Sequence, residues 1–436
     1  MAKVNNPRQA IRTHEGARAK RITPEQQLWR SVMSCMLWEK GFYEDGEEVA
    51  TRIAETIKLV PADKVAAIAV EAREKMKLRH VPLLIVREMA RLATHRHLVS
   101  ATLQKVIQRA DELSEFLAIY WKDERKPLSA QVKKGLAGAF SKFDEYALAK
   151  YNRDGTVKLR DVLFLSHAKP KDEVQAALWK RLVNNELQPP DTWEVALSAG
   201  QDKRGAWERL ISEGKLGGLA LLRNLRNMKE AGVSEQVIFA GIEKMKAERI
   251  LPFRFIAAAR YAPQWEDKIE PVMMRCLEGK AKVQGTTALL MDRSGSMNER
   301  ISAKSDLTRY DAACGLAILA RELTENVKIF SFGTDISQVV PRRGFALRDA
   351  LGRANGGTYL GAAVNWMYQN EQFDRLIVLT DEQSQDGVPD PSGVAYMVNI
   401  ASNKNGVGYG PWVHVDGWSE SVLDYIRSFE SLDSLS

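Results

Sequence analysis

Five oxygen-bearing side chains stand where the sequence would place the ligands of a hard metal ion. They are Asp292, Ser294, Ser296, Thr358 and Asp381. The first three directly follow an apolar run, Thr358 follows a pair of glycines, and Asp381 ends a second apolar run. Such an all-oxygen set suits Mg²⁺, which keeps some of its waters and accepts an anionic ligand, and the lack of histidine or cysteine argues against zinc. The predicted cofactor is therefore Mg²⁺ or another divalent cation.

The elements that would position these side chains form an α/β domain. Strands are predicted at 286–291, 327–332, 375–380, 395–400 and 412–415, and helices at 310–324, 345–354 and 360–370. Strands that alternate with helices predict a doubly wound, Rossmann-like sheet. Open sheets of this kind bind ligands at the C-terminal ends of their strands. We therefore expect the five donors to converge at one edge of the sheet.

The part of the chain before this domain is predicted to be all helical. Thr23, Pro24 and Gln26 form a capping box with proline at the first helical position. Further helices are predicted near 63–76, 81–92, 130–140, 173–183 and 216–229. Many short helices in succession favour a repeat-like helical array. The predicted domains are a basic N-terminal arm over 1–22, a helical-repeat domain over 23–282 and the α/β domain over 283–436. The arm is either a flexible phosphate-binding segment or disordered.

Charge is unevenly divided along the chain. The 436 residues carry a net charge of +7. From Val283 to the end there are 13 basic and 19 acidic residues, a net of −6, whereas the preceding part has 50 basic and 37 acidic residues, a net of +13. A basic surface concentrates polyanions, and nucleic acid is the common one. The helical part is therefore the predicted site of nucleic-acid binding.

Several classes of protein are disfavoured. No apolar run of about 18 residues would cross a membrane, and the polar, basic start of the chain lacks the apolar region of a secretory signal. Cys35, Cys276 and Cys314 are far apart, which argues against a disulfide framework or zinc ribbon and fits buried thiols in a reducing compartment. We expect a cytoplasmic protein without membrane contact.

The same residues give little support to catalysis. Ser294 does not lie in a Gly-x-Ser-x-Gly elbow, and His414 is the only histidine that follows it. There is no P-loop motif, and metal-dependent hydrolysis usually needs more carboxylates or a second metal. The sequence therefore predicts a protein that is not an enzyme.

Two family resemblances cover nearly the whole chain. The Asp-x-Ser-x-Ser motif, with its separate Thr and Asp, resembles the metal-ion-dependent adhesion site (MIDAS) of von Willebrand factor A domains, and all five positions match. Four stretches of the helical part resemble the TROVE module, namely 28–46, 158–170, 220–228 and 251–255. A TROVE module followed directly by a von Willebrand factor A domain resembles the arrangement of the Ro autoantigen family.

The resemblance to the Ro family implies a closed ring of HEAT-like helices that binds RNA. In that family, single-stranded 3′ ends of misfolded RNAs enter the ring and small Y RNAs bind its outer surface. Bacterial relatives are associated with a 3′→5′ exoribonuclease. The partners implied for this chain are therefore a Y-like RNA, misfolded RNA and such an exoribonuclease, and we expect a monomer.

Eight residues of the helical part are candidates for contact with RNA. They are Lys150, Arg153, His167, Lys169, Arg79, His80, Arg223 and Arg226. His167 and Lys150 match family positions that help to bind Y RNA. Asp154 departs from the family's basic character at that point, and Arg153 beside it would compensate. Arg223 and Arg226 fall outside the apolar face of their helix, where they would meet phosphates.

The combined hypothesis is a non-catalytic RNA-binding protein of RNA quality control or maturation. Its metal site would fix the neighbouring loops or capture an acidic group of a partner. Two alternatives stay open. One is a protein–protein scaffold whose metal site binds acidic partners, and the other is a metal-dependent nuclease that acts through Asp292 and Asp381.

Overall fold

The fold is described from a computed structural model of the chain. It describes residues 11–19, 21–33, 46–198, 202–247, 250, 252–302, 305–401, 403, 405–417 and 421–433. Contacts divide the chain into two compact units. We call Met1–Gly46 with Ile242–Ser436 the α/β unit and Glu47–Gly241 the helical unit.

Helices account for most of the chain before the sheet. In the described ranges they are α1 (Pro24–Met33), α2 (Gly46–Ile57), α3 (Ala62–Glu74), α4 (His80–Arg91), α5 (Val99–Val106), α6 (Asp111–Tyr120), α7 (Ala130–Phe140), α8 (Glu145–Tyr151), α9 (Leu159–Ser166), α10 (Glu173–Asn184), α11 (Trp193–Ser198), α12 (Lys203–Ser212), α13 (Gly218–Glu230), α14 (Glu235–Lys244), α15 (Pro252–Tyr261) and α16 (Glu266–Arg275). The predicted capping box starts α1: Thr23 N–H donates to Gln26 Oε1 at 2.9 Å, and Gln26 N–H donates to Thr23 Oγ1 at 3.2 Å.

The helical unit is held together by apolar helix faces and a few buried ion pairs. Neighbouring helices such as α3 and α4, or α5 and α7, pack against each other. Arg73 of α3 donates to Glu112 of α6 at 2.7 Å and to the Val106 carbonyl at 3.0 Å. A buried cation thus finds both a carboxylate and a carbonyl partner, as burial requires. No helix of the described residues is long and apolar enough to cross a membrane.

The α/β unit is built on a six-stranded sheet. Its strands are β1 (Val283–Asp292), β2 (Thr324–Phe332), β3 (Ile336–Val339), β4 (Arg375–Thr380), β5 (Val394–Asn399) and β6 (Val413–Asp416), and its later helices are α17 (Arg309–Leu323), α18 (Gly344–Leu351), α19 (Leu360–Asn370) and α20 (Ser421–Asp433). The strand order is β3-β2-β1-β4-β5-β6, and all pairs are parallel except β2 with β3. The five predicted strands and three predicted helices of this part are present. Edge strand β3 and helix α20 were not predicted.

The register of the parallel strands brings their C-terminal ends to one edge. Asp292 pairs with Phe332 of β2, and Met291 pairs with Leu379 of β4. The side chains that follow β1 and β4 therefore leave the sheet side by side. A helical part followed by a mostly parallel sheet with flanking helices confirms the predicted fold class.

The compact units differ from the predicted domain limits. Secondary structure changes from helix to strand at Val283, but α1, α15 and α16 belong to the α/β unit because α15 packs on α17, α16 on α18 and α1 on β6. A side chain at Gly315 of α17 would meet the Phe253 backbone N at 2.9 Å, so glycine permits the approach of α15. Cys276 and Cys314 are buried free thiols, and Cys35 lies outside the described residues.

Candidate metal centre and RNA-binding surface

Asp292, the last residue of β1, is fully buried and held by two hydrogen bonds. The Ser294 N–H donates to its Oδ1 at 2.7 Å, and the Thr380 hydroxyl of β4 donates to its Oδ2 at 2.6 Å. The first bond follows from the tight turn after the strand. The second arises because β4 runs parallel beside β1. The carboxylate therefore has a fixed orientation at the edge of the sheet.

The second carboxylate, Asp381, is joined to the same group of side chains. Ser296 Oγ donates to Asp381 Oδ2 at 2.6 Å and lies 3.2 Å from Ser294 Oγ. The N–H of Gln383 donates to Asp381 Oδ1 at 3.2 Å. Four of the five predicted metal ligands are thus brought together by direct hydrogen bonds.

The fifth predicted ligand, Thr358, lies on the loop beside them. The Gly295 N–H donates to the Gly356 carbonyl at 3.0 Å, and the Gln385 N–H donates to the Thr358 carbonyl at 2.8 Å. Thr358 itself is buried, and Gly356 has a φ of 90°, which glycine adopts without strain. The loops that follow β1 and β4 therefore enclose the threonine.

The electrostatics of this cluster favour a cation. Burial, and then the neighbouring Asp381 carboxylate, raise the pKa of Asp292 well above its usual range. Arg309 Nη1 lies 3.7 Å from Asp381 Oδ2 and supplies some positive charge. Within the described residues, no group of three or more His, Cys, Asp or Glu side chains is arranged to hold a metal. A metal here would therefore depend on the hydroxyls, which fits a hard divalent cation.

Two of the predicted RNA contacts, Arg79 and His80, are engaged by carboxylates. Arg79 pairs with Asp111 at 2.8 Å, with Glu115 at 2.9 Å and with Glu112 at 3.4 Å. His80 Nε2 lies 3.4 Å from Glu115. These carboxylates belong to α6, about 30 residues further along the chain. Patterns of neighbouring residues could therefore not predict their contacts with Arg79. The charge of Arg79 is already balanced within the protein.

Four other candidates lie on or next to α8 and α9. Arg153, His167 and Lys169 are exposed, and the Lys150 ammonium lies 5.9 and 5.8 Å from the Tyr146 and Tyr151 ring centroids. His167 caps α9 with a left-handed φ of 53°, and its Nε2 lies 3.5 Å from Lys133 Nζ.

The surroundings of these four are less acidic than those of Arg79. Among the described residues, neither Lys150, Arg153 nor Lys169 forms an ion pair with a carboxylate. Asp154 pairs with Lys158 at 2.6 Å rather than with its neighbour Arg153. The departure at Asp154 thus leaves these cations available.

The last two candidates, Arg223 and Arg226, are exposed on α13. The buried face of this helix contains Leu221, Leu222, Asn224, Leu225 and Met228. Arg223 and Arg226 therefore fall outside the buried face, as predicted. Arg226 Nε lies 3.4 Å from Glu230 on the same helix, with both side chains well exposed.

A buried ion network beside the metal loop was not predicted. Glu382, which follows Asp381, accepts a hydrogen bond from Arg30 Nη1 at 2.8 Å and contacts His414. His414 Nδ1 lies 3.3 Å from Asp416. Burial opposes ionisation, but the Asp416 and Glu382 carboxylates raise the pKa of His414 to about 9. Against the same opposing burial, Arg30 and His414 lower the pKa of Glu382 to about 2. Two cations and two carboxylates thus share the core.

Comparison with known proteins supports the resemblance to the Ro family. Residues 159–304 match the TROVE domain. This range contains the stretches 220–228 and 251–255 and all but the first residue of 158–170. It also includes Asp292, Ser294 and Ser296. The match covers about a third of the chain. The resemblance inferred from the sequence is confirmed.

Curated relatives match smaller parts of this chain. Telomerase protein component 1 of Mus musculus is 30% identical over 130 residues, which is 28% of this chain and 5% of the relative. The protein of the same name from Rattus norvegicus is 38% identical over 78 residues, which is 16% of this chain and 3% of the relative. The chain therefore corresponds to only a small fraction of the length of these relatives.

A solved structure shares the fold over most of the chain. The crystal structure of the Deinococcus radiodurans Ro (RSR) protein aligns with a TM-score of 0.61 and 17% identity, and it covers 93% of this chain and 100% of that one. At this identity the likeness concerns the fold, which agrees with the helical part and the sheet described above.

The N-terminal segment of the chain differs from the expected flexible arm where it is described. Residues 11–19 form a short turn closed by a bridge between Arg12 and Arg18. The Thr13 hydroxyl donates to the Ser384 carbonyl at 2.8 Å, and the His14 N–H donates to Gln383 Oε1 at 2.7 Å. The segment therefore packs on the loop that follows Asp381, while residues 1–10 lie outside the described part.

Proposed function

We propose that this protein binds RNA, with α8, α9 and the residues that follow them as one contact surface. The observation that carries the proposal is the exposure of Arg153, His167 and Lys169 without carboxylate partners among the described residues. Two apolar rings lie exposed on the same helices, Phe164 at 59% and Tyr146 at 53%. Cations would neutralise phosphates while exposed rings stack on bases, which is the usual combination for single strands.

We propose single-stranded 3′ ends of misfolded RNAs and small Y-like RNAs as ligands, in RNA quality control or maturation, with a 3′→5′ exoribonuclease as a further partner. The protein would hold RNA without cleaving it and would act in the cytoplasm. The buried free thiols of Cys276 and Cys314 support a reducing compartment.

We also propose a divalent cation, Mg²⁺ in the first instance, at the C-terminal edge of the sheet. Asp292, Ser294, Ser296, Thr358 and Asp381 would hold it in the manner of a MIDAS. A bound cation with two carboxylate ligands would keep net attraction for a further anionic group, such as a carboxylate or a phosphate. The support is the hydrogen-bonded convergence of four of these side chains and the burial of two carboxylates in one cluster.

The test is a titration of a labelled hairpin RNA that carries a single-stranded 3′ tail. Controls are the blunt hairpin and a tailed DNA of the same sequence, each at several salt concentrations. Tail-dependent binding that weakens steeply with salt supports the proposal. If the tail makes no difference and binding is poor even at low salt, the RNA proposal is wrong, and acidic protein partners of the metal site become the better hypothesis.

The same samples distinguish binding from cleavage. After the titration, the RNA is run on a denaturing gel with Mg²⁺ or with chelator. Intact RNA under both conditions supports a non-catalytic role. Shortening that requires Mg²⁺ and disappears in Asp292→Ala would instead identify a metal-dependent nuclease.

A further inference from the structure

The loop that follows Asp381 contains a strained residue at its first position. Glu382 has a φ of 59°, in the left-handed region that non-glycine residues rarely occupy. Its side chain is fully buried. Such a conformation persists only where the surrounding contacts over-determine it. The contacts of Glu382 should therefore explain why the loop takes this path.

Arg30 of α1 contacts the Glu382 carboxylate, as His414 of β6 does. Its Nη1 donates to Glu382 Oε2 at 2.8 Å, and its two other nitrogens donate to the Asn403 carbonyl at 2.6 Å and the Asn405 carbonyl at 3.1 Å. The guanidinium also lies 5.6 Å from the centroid of the Tyr409 ring. A fully buried arginine with this many partners has one position only. It presents a fixed cation to the Glu382 carboxylate.

The chain leaves room for this pair by means of two glycines. A side chain at Gly406 would collide with the Glu382 carboxylate and come within 2.6 Å of Arg30 Nη2. A side chain at Gly408 would collide with Met397 and come within 2.8 Å of Glu382 Oε1. The cavity for the pair is thus built into the segment before β6.

Backbone groups on either side of the strained residue orient the two proposed metal carboxylates. The Glu382 N–H donates to Thr380 Oγ1 at 3.0 Å, and that hydroxyl donates to Asp292 Oδ2 at 2.6 Å. The Gln383 N–H donates to Asp381 Oδ1 at 3.2 Å. Relaxation of Glu382 to a right-handed conformation would redirect the chain between these two N–H groups. The Glu382 N–H could then not donate to Thr380 while the Gln383 N–H donates to Asp381, so the two carboxylates would lose their fixed orientation.

We infer that Arg30 is a positioning residue for the metal centre, and that its ion pair with Glu382 holds the Asp381 loop in the metal-binding conformation. The inference rests on the proposed metal site. Arg30 donates to the Glu382 carboxylate, which follows Asp381 in the chain, so it acts through Glu382. The site at the edge of the sheet thus depends on a helix from the other end of the chain.

The test measures Mn²⁺ binding to the full chain by the loss of the free Mn²⁺ resonance signal. Removal of a residue that orients metal ligands typically weakens metal binding by about 10- to 100-fold. We expect at least a tenfold weakening for Arg30→Met. The matched control is Arg375→Met, because Arg375 donates to Glu430 twice at 2.7 Å at the other end of β4. This control should lower the melting temperature in chelator but change Mn²⁺ affinity by less than about twofold, since its ion pair touches neither loop.

A second variant separates loop conformation from general damage. Glycine adopts a φ of 59° without strain, and removal of both charges leaves His414 paired with Asp416. The double variant Arg30→Met, Glu382→Gly should therefore recover Mn²⁺ binding to within about threefold of the unmodified protein. It also serves if Arg30→Met alone does not fold. The inference is overturned if the double variant binds Mn²⁺ no better than Arg30→Met does. If Arg30→Met is unfolded, the comparison is with Asp292→Ala instead, and Mn²⁺ binding no better than that of Asp292→Ala overturns the inference.

The outcomes distinguish this inference from the metal proposal on which it rests. If the unmodified protein does not bind Mn²⁺, or if its binding is unchanged in Asp292→Ala, the metal site is refuted and the inference with it. Binding that is lost in Asp292→Ala but unchanged in Arg30→Met keeps the metal site and overturns only the role of Arg30.

Discussion

The RNA surface on α8 and α9 can be tested through the salt dependence of binding. We consider the triple replacement of Lys150, Arg153 and Lys169 by glutamine. None of the three has a carboxylate partner among the described residues, so each would release counterions on meeting a phosphate. For single-stranded nucleic acid the slope of log K against log salt is about −0.7 per phosphate contact. Loss of three contacts should therefore make the slope less steep by about 2, which is roughly a 50-fold loss of affinity at 0.15 M salt.

The assay is fluorescence anisotropy with a labelled single-stranded RNA between 50 and about 300 mM salt, a range over which such slopes are well measured. The control is Arg79→Gln, because Arg79 is already paired with three carboxylates of α6. Its replacement should leave the slope unchanged. An unchanged slope in the triple variant, or an equal change in Arg79→Gln, would refute the reasoning that unpaired cations mark the RNA surface.

Four further predictions address stacking, metal, pH and packing. Phe164→Ser should weaken single-stranded RNA binding by about 1 kcal/mol, as the loss of one stacked base would. Leu59→Ser, at a comparably exposed apolar residue of the helical unit, should not weaken it. Equal effects of the two variants in the same anisotropy assay would contradict stacking. Mg²⁺ at 100 times its dissociation constant should raise the free energy of unfolding by about 2.7 kcal/mol, and calorimetry should show no such gain in Asp292→Ala. His414 faces Glu382, Asp416, Arg30 and Tyr409, and its pKa is raised to about 9. Its contribution to stability is therefore fully present below its ordinary pKa of about 6.5 and is lost as the pH rises through 9. Urea unfolding should show that the free energy of unfolding declines by up to roughly 3 kcal/mol over this pH range, and the decline should be absent in His414→Gln. Gly315→Ala should cost about 1–3 kcal/mol, because its methyl group would press on the Phe253 backbone, and a gain in stability from helix propensity alone would show that α15 can move away.

Local patterns in the sequence were sufficient to predict much of the secondary structure and the sheet. Helix spacing identified the buried face of α13, and the capping box located the start of α1, because both depend on residues within one or two helical turns. Strand and helix alternation predicted the sheet, and parallel strands must bring the residues that follow β1 and β4 to one edge. The convergence of Asp292 with Asp381 was predictable for that reason. Edge strand β3 was missed because its four residues alternate weakly and depend on pairing with β2.

Local sequence patterns could not predict which cations pair with carboxylates in the folded protein. The run of Arg79 and His80 looked like a basic patch until α6 placed three carboxylates beside it. For Lys150, Arg153 and Lys169 the fold brought no such partner. The sequence contains both groups as similar clusters of cations. Which cluster keeps free charge for a polyanion is decided by the helix that packs alongside.

The sequence by itself thus determined the helices, the parallel sheet and the oxygen donors at its edge, since these follow from periodicity and from residues next to strand ends. Only the tertiary structure decided that Arg30 would meet Glu382 across 352 residues of chain and that residues 11–19 would pack on the loop after Asp381. Buried charges need partners wherever the fold can supply them. No spacing rule connects residues so far apart, so their pairing exists only once the chain has folded.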